Sequence, residues 1–172
     1  MRKLLISLLF VLICFLASCG EKDKYVLTED TYFLVMTNIL YYPEQYENAT
    51  LEFDCFTYQL TDTEGVSYMC GVRKCSSGYG CQCGRDTVIG FILNSSEKLP
   101  EPIKQSEDSV EKAWIHVSGN LDSMEAKEIK IYAYSGDEID YNTVETIRFY
   151  TLNVDQFNVI EDYQNLAYYV TK

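Results

Sequence analysis

Between Thr50 and Val154 the chain repeats one pattern: short runs in which apolar or aromatic residues alternate with polar ones, each closed by a turn signal. Side chains of a strand leave alternate faces, so this period of two predicts strands with one face buried. TLEFDCFTYQL (50–60), the first run, alternates only weakly and is rich in aromatics, which suggests a strand with both faces partly covered; TDTEG (61–65) follows, and its composition marks a hairpin turn. Residues 66–74 form the second strand, with Val66, Tyr68, Cys70 and Val72 on one face. TVIGFILN (87–94) is the third, and Gly90 inside it signals a bulge or a sharp bend. AWIHVSGNL (113–121) and EIKIYAY (128–134) alternate again, and a further strand is expected around 146–154. Residues 95–112, polar and carrying Pro100 and Pro102, read as a surface connection.

Residues 31–41 read as one amphipathic helix ahead of these strands, with a strand as the alternative. Thr28, Glu29 and Asp30 make an N-terminal cap with acid in the first turn, and Phe33, Met36 and Leu40 follow at helical spacing up to Pro43. The expected architecture is mainly β: a small OB-like barrel of five to six strands with one N-terminal helix. Gly90 would let the third strand coil around it. An open antiparallel sheet is the alternative.

The first residues carry a different signal. Arg2 and Lys3 precede an apolar run, Leu4 to Leu16, that is too short for a transmembrane helix and reads as an export signal over 1–18. Leu16-Ala17-Ser18-Cys19 resembles a bacterial lipobox, which makes Cys19 the expected lipidation site and Cys14 part of the removed peptide. Acyl chains contribute about 0.8 kcal/mol per buried methylene, so two or more hold a soluble body firmly to a membrane. Residues 19–30 read as the lipidated tether and 31–172 as the domain. The expected location is the cell envelope, outside the cytoplasm.

Charge narrows the partners. The chain has a formal net charge of −12, and loss of Arg2 and Lys3 with the signal takes it to −14. A body this acidic repels nucleic acid; the leading expectation is a metal-linked accessory role, and the alternative is a disulfide-stabilised module whose barrel groove takes a protein or glycan partner.

Several stretches in order carry a family likeness: Phe33, Met36 and Ile39; YPEQYENATLEFDCFTY; Arg73 before a cysteine pair; Asp86 with Gly90 and Phe91; WIHVSGNL; and NVIEDYQNLAYYV near the end. Over roughly 30–172 the chain is similar to the soluble OB-like domain that closes a family of uncharacterised bacterial membrane proteins, regarded as permease subunits and also found as stand-alone lipoproteins. By position, Pro43 and Tyr46 match the turn before the first strand, and Trp114, Val117 and Gly119 match the fourth. The resemblance implies a link to zinc through an adjacent cysteine pair. This chain departs from it: its pair is Cys81-Gln82-Cys83, Cys70 and Cys75 are additional, and Cys55 stands where the family has glycine.

Five thiols remain after Cys14 and Cys19 are set aside, and an odd number leaves at least one unpaired within a monomer. Cys55, among aromatics in mid-strand, reads as a small buried apolar group. Cys70, Cys75, Cys81 and Cys83 are then the candidate zinc ligands. Gly78, Gly80 and Gly84 would let the backbone wrap the ion, and Arg73, Lys74 and Arg85 would balance the thiolate charge. Two disulfides are an equally physical reading in an oxidising compartment, since a bridge between Cys81 and Cys83 themselves is strained. A thiol-redox pair at Cys81 and Cys83 is a third.

Little else is reactive. His116 is the only histidine, and its parity places it on the face opposite Ile115 and Val117. Asp137, Glu138 and Asp140 could hold calcium loosely, but their spacing fits no EF-hand loop. With no phosphate loop and no nucleophile elbow, the expected role is binding, not catalysis.

Overall fold

The computed structural model describes residues 23–75, 87–102, 113–135, 138–167 and 169–170. In chain order the elements are β1 (Lys24–Leu27), α1 (Glu29–Tyr41), a 3-10 turn (Pro43–Tyr46), β2 (Thr50–Thr61), β3 (Ser67–Cys75), β4 (Thr87–Asn94), β5 (Trp114–Leu121), β6 (Lys127–Ser135), β7 (Glu138–Val159) and β8 (Tyr169–Val170). The chain is mainly β with one α-helix, as the alternation demands.

The pairings close a ring. β2 lies antiparallel to β5 and to β3, β3 antiparallel to β4, and β5 antiparallel to β7. The circuit is completed by β4 and β7, which run parallel with Phe91 opposite Tyr150. Five strands connected this way form a closed circuit, in which every member has a neighbour on each side.

β2 and β3 separate beyond the pair Phe56 and Val72. There each edge gains a short parallel strand: β1 pairs with β2 from Lys24 opposite Thr50 to Leu27 opposite Phe53, and β8 pairs with the end of β3. Lys24–Leu27 therefore belongs to the folded body. The range 19–30 expected to be a tether overlaps a strand and the first turn of α1. A four-residue strand carries too little periodicity to register in the sequence, and it exists because β2 offers it an open edge.

Parity sorts the side chains into two clusters. Leu51, Phe53, Cys55, Phe91, Leu93, Ile115, Val117 and Leu152 face the barrel interior, joined by Tyr32, Met36 and Ile39 from α1. Phe56, Cys70, Val72, Ile92 and Trp114 leave the other face of their strands and meet Ile129 and Phe149. That second cluster exists because β7 is 22 residues long. Its second half belongs to the ring, while its first half pairs with β6 as a hairpin that folds over the outside of the barrel. Burial of a large apolar side chain contributes about 1.5–3 kcal/mol, so these strands are stabilised on both faces.

Two glycines permit the closest approaches. A Cβ on Gly90 would lie 2.0 Å from the Gly71 carbonyl oxygen and 2.8 Å from the Val72 Cα. The β3–β4 register runs unbroken through the Val72–Gly90 pair, so Gly90 marks contact between backbones, not the bulge expected there. The register shift in the barrel lies instead between Ser118 and Gly119, where a Cβ on Gly119 would meet the Asn153 oxygen at 2.2 Å.

At the start of α1 the Thr28 N–H donates to the Thr31 hydroxyl at 2.9 Å, which caps the helix where the sequence places it.

Candidate functional site

The two ends of the barrel differ. At one, α1 covers the interior: Tyr32 reaches toward the Ile89 carbonyl at 3.4 Å, and its ring meets Phe53 edge-on at 5.7 Å. At the other, where β2 turns into β3 and β4 ends, the interior opens into a groove of about 480 Å³. Small-molecule sites typically measure about 300–1,000 Å³.

The groove arises because the inward positions of β2 change character along the strand. Phe53 and Cys55 are apolar, Thr57 is buried with its hydroxyl directed at the Ala113 carbonyl, and Gln59 is polar and exposed. Gln59 faces Met69 across the β2–β3 ladder, and its amide donates to the Ser67 hydroxyl at 3.1 Å. Leu93 and Leu99 supply an apolar wall, Ser95 adds a hydroxyl, and Glu97 stands on the rim. Also on the rim, Lys98 and Glu101 pair at 2.8 Å. Amide and hydroxyl groups set against aliphatic walls suit a neutral ligand rich in hydroxyls. Sequence reading missed this site. The available signal was the run Cys55, Thr57, Gln59, in which an inward face turns polar toward a strand end.

Of the expected cysteine set, Cys70 follows Met69 of the groove on β3, and Cys75 ends that strand. Cys70 and Cys75 are five positions apart on β3, so their side chains leave opposite faces. Cys70 is fully buried in the outer cluster and Cys75 is buried in the inner one. Burial pushes the Cys70 thiol up to about 12, which holds it neutral. Cys55 is fully buried in the inner cluster, and burial raises its thiol further still. Cys81, Cys83 and Arg85 lie outside the described residues, as does the lipidation candidate Cys19. Among the described residues no group of three or more histidine, cysteine or acidic side chains is placed to hold a metal ion.

Cys70 offers a direct check. A rise from about 9 to about 12 lowers the thiolate fraction near neutral pH roughly a thousandfold. In the native domain Cys70 should resist iodoacetamide at pH 8 and react fully in denaturant, as peptide mass spectrometry can follow. Rapid native labelling at Cys70 would contradict the placement.

Arg73, expected to balance thiolate charge, has other partners. It is 2 % exposed and occupies the gap where β2 and β3 part. One terminal nitrogen donates to the Asp54 carbonyl of β2 at 3.2 Å; the other donates to the Ala167 carbonyl and lies 3.4 Å from the Glu29 carboxylate. The Trp114 and Tyr32 rings, one from each cluster, flank the guanidinium at 4.9 and 5.9 Å. Helix start, second strand and C-terminal segment thus meet on one side chain. Lys74 follows on the outer parity of β3, opposite Val88 of β4 and Tyr169 of β8.

His116 lies on the outer face, half-exposed, as its parity requires. Its Nδ1 is 2.7 Å from Asp54, directly across the β2–β5 ladder, and its Nε2 is 3.5 Å from Glu52. Glu52 also receives Lys24 at 2.6 Å, and that hydrogen bond holds its carboxyl below the ordinary glutamate range. The row ties β1, β2 and β5 together. Of the loose calcium set, Asp137 lies outside the described residues, and Asp140 accepts from the Thr143 hydroxyl at 2.7 Å and the Asn142 N–H at 3.0 Å, closing its own turn.

No family model, curated protein or solved structure matches this chain.

Proposed function

We propose that this chain is a lipid-anchored protein of the cell envelope whose OB-like barrel binds an uncharged oligosaccharide without transforming it. The groove at the β2–β3 end carries the reading. Its size, its Gln59, Ser67 and Ser95 polar groups and its Met69, Leu93 and Leu99 walls match such a ligand. Glu97 on the rim and the net charge of −12 disfavour polyanions. Membrane attachment through Cys19 and kinship with the stand-alone OB-like lipoproteins of the permease-subunit family belong to the same proposal, and the five-strand ring supports the second.

Isothermal titration with a set of neutral oligosaccharides tests it. A neutral sugar should bind, a sulfated counterpart should bind more weakly, and Gln59→Ala should weaken affinity about fivefold, the effect of one net hydrogen bond near 1 kcal/mol. Equal affinity of wild type and Gln59→Ala for every sugar that binds would remove the groove from the proposal.

The zinc-linked reading is second. Cys75 ends β3 opposite Thr87 of β4, and Cys81 and Cys83 follow it six and eight positions later in the sequence. On this reading the ligands include Cys75, Cys81 and Cys83, with Cys70 left in the outer cluster. Elemental analysis should then find about one zinc per chain in Cys70→Ala and none in Cys81→Ser. Absence of metal from protein purified out of its native compartment, with cysteines blocked to alkylation, would favour the disulfide-braced module. A low thiol pKa and reversible oxidation at Cys81 and Cys83 would favour the redox pair.

A further inference from the structure

The last turn of α1 and the first residue of β1 occupy one corner of the domain. The Thr50 N–H donates to the Asp23 carbonyl at 2.8 Å, Lys24 pairs with Thr50, and the Tyr25 ring lies 4.9 Å from Tyr46 in the turn that directly follows α1. At this corner Leu40, Tyr41 and Tyr42 are 47 %, 73 % and 53 % exposed. The core already has its helix contacts in Tyr32, Met36 and Ile39, which are buried. The exposed residues are therefore apolar beyond what packing requires.

The chain ahead of β1 limits what can reach this surface. Only residues 20–23 separate Cys19 from Lys24. An extended chain covers at most about 3.5 Å per residue, so Lys24 stays within about 17 Å of an acylated Cys19. That is shorter than α1 itself, about 20 Å at 1.5 Å per residue. The corner is held close to any bilayer that takes the acyl chains.

We propose that Leu40, Tyr41 and Tyr42 rest in the headgroup layer of that bilayer, with the tyrosine rings at the polar–apolar boundary. The inference depends on the anchoring reading above. Tyrosine suits this position because it presents an apolar ring with a polar tip, and among the described residues no helix is long and apolar enough to cross a membrane. Glu44 and Glu47 are exposed just beyond the helix. They would be repelled by anionic lipid, so the headgroups that fit are zwitterionic.

The contact fixes the orientation of the domain. The corner sits beside the start of β2, where Lys24 pairs with Thr50, whereas the groove lies at the end of β2 and the start of β3, around Gln59 and Ser67. With the tyrosine corner on the membrane, the groove opens away from it.

The test uses the full chain with its acyl groups verified by mass, reconstituted in phosphatidylcholine vesicles. The photo-crosslinker p-benzoylphenylalanine replaces Tyr41 in one sample. In another it replaces Val66, which is 47 % exposed at the far end of β2. Position 41 should give a lipid adduct at least several times more abundant than position 66, and phosphatidylglycerol vesicles should lower it. Equal adducts at both positions, or none at 41 in a verified acylated chain, would overturn the inference. In native membranes, a protein adduct in place of lipid at 41 would assign the corner to a partner and overturn it too. A chain without acyl mass would remove the anchoring reading itself, and this inference with it.

Discussion

Gly90→Ala is expected to destabilise the domain by more than about 3 kcal/mol, a large fraction of the roughly 5–15 kcal/mol that holds a domain together. The added Cβ would lie 2.0 Å from the Gly71 oxygen and 2.8 Å from the Val72 Cα. Both obstacles are backbone in a continuous ladder, so no side chain can rotate to relieve them. β3 and β4 would have to part, and with them a ring in which each strand holds the next. Thermal unfolding should shift down by about 10 °C, given about 2–4 °C per kcal/mol at this size. Gly65→Ala is the control. Gly65 has open space around it and a φ of +86°, so alanine there meets only the left-handed strain of about 1–2 kcal/mol. If Gly90→Ala melted at or above Gly65→Ala, the β3–β4 register would be wrong.

Arg73→Ala should cost about 3–5 kcal/mol, chiefly through a cavity between the Trp114 and Tyr32 rings and two carbonyls, Asp54 and Ala167, left without their donor. The ion pair itself is a smaller part, because Glu29 is 46 % exposed and solvent screens it. Two further variants separate the contributions. Glu29→Gln keeps an oxygen acceptor and should cost under about 1 kcal/mol. Arg73→Met fills the cavity without the donors and should fall between Arg73→Ala and wild type. Urea unfolding midpoints would rank all three. A cost for Glu29→Gln equal to that of Arg73→Ala would mean that the charge pair, not packing and carbonyl satisfaction, dominates.

The strands were legible because the barrel imposes one inner face on each of them. Thr87–Asn94 appears within the limits its sequence gives, and the other short strands of the ring differ by a residue or so. Arg73 shows where that legibility stops. Beside three cysteines in sequence it reads as a counter-ion for thiolates, but its parity turns it inward, and its partners come from residues 29, 54 and 167. Such long-range convergence leaves no local spacing to read. β7 failed for a related reason. Expected near 146–154, it runs over Glu138–Val159, because its first half pairs with β6 outside the ring and YSGDEIDYN (134–142), with Glu138 and Asp140, reads as a solvated loop. Cys70 and Cys75 were read as one set from proximity in sequence, although an odd separation along a strand divides them between faces.

The most direct measurement on the binding proposal is a backbone amide NMR titration of the folded chain with the tightest neutral oligosaccharide found by calorimetry. The groove predicts saturable shifts at Gln59, Ser67, Met69, Leu93 and Ser95, with the outer row at Glu52, Asp54 and His116 unmoved. Saturable shifts confined to the outer row, or none at the groove at millimolar sugar, would contradict it.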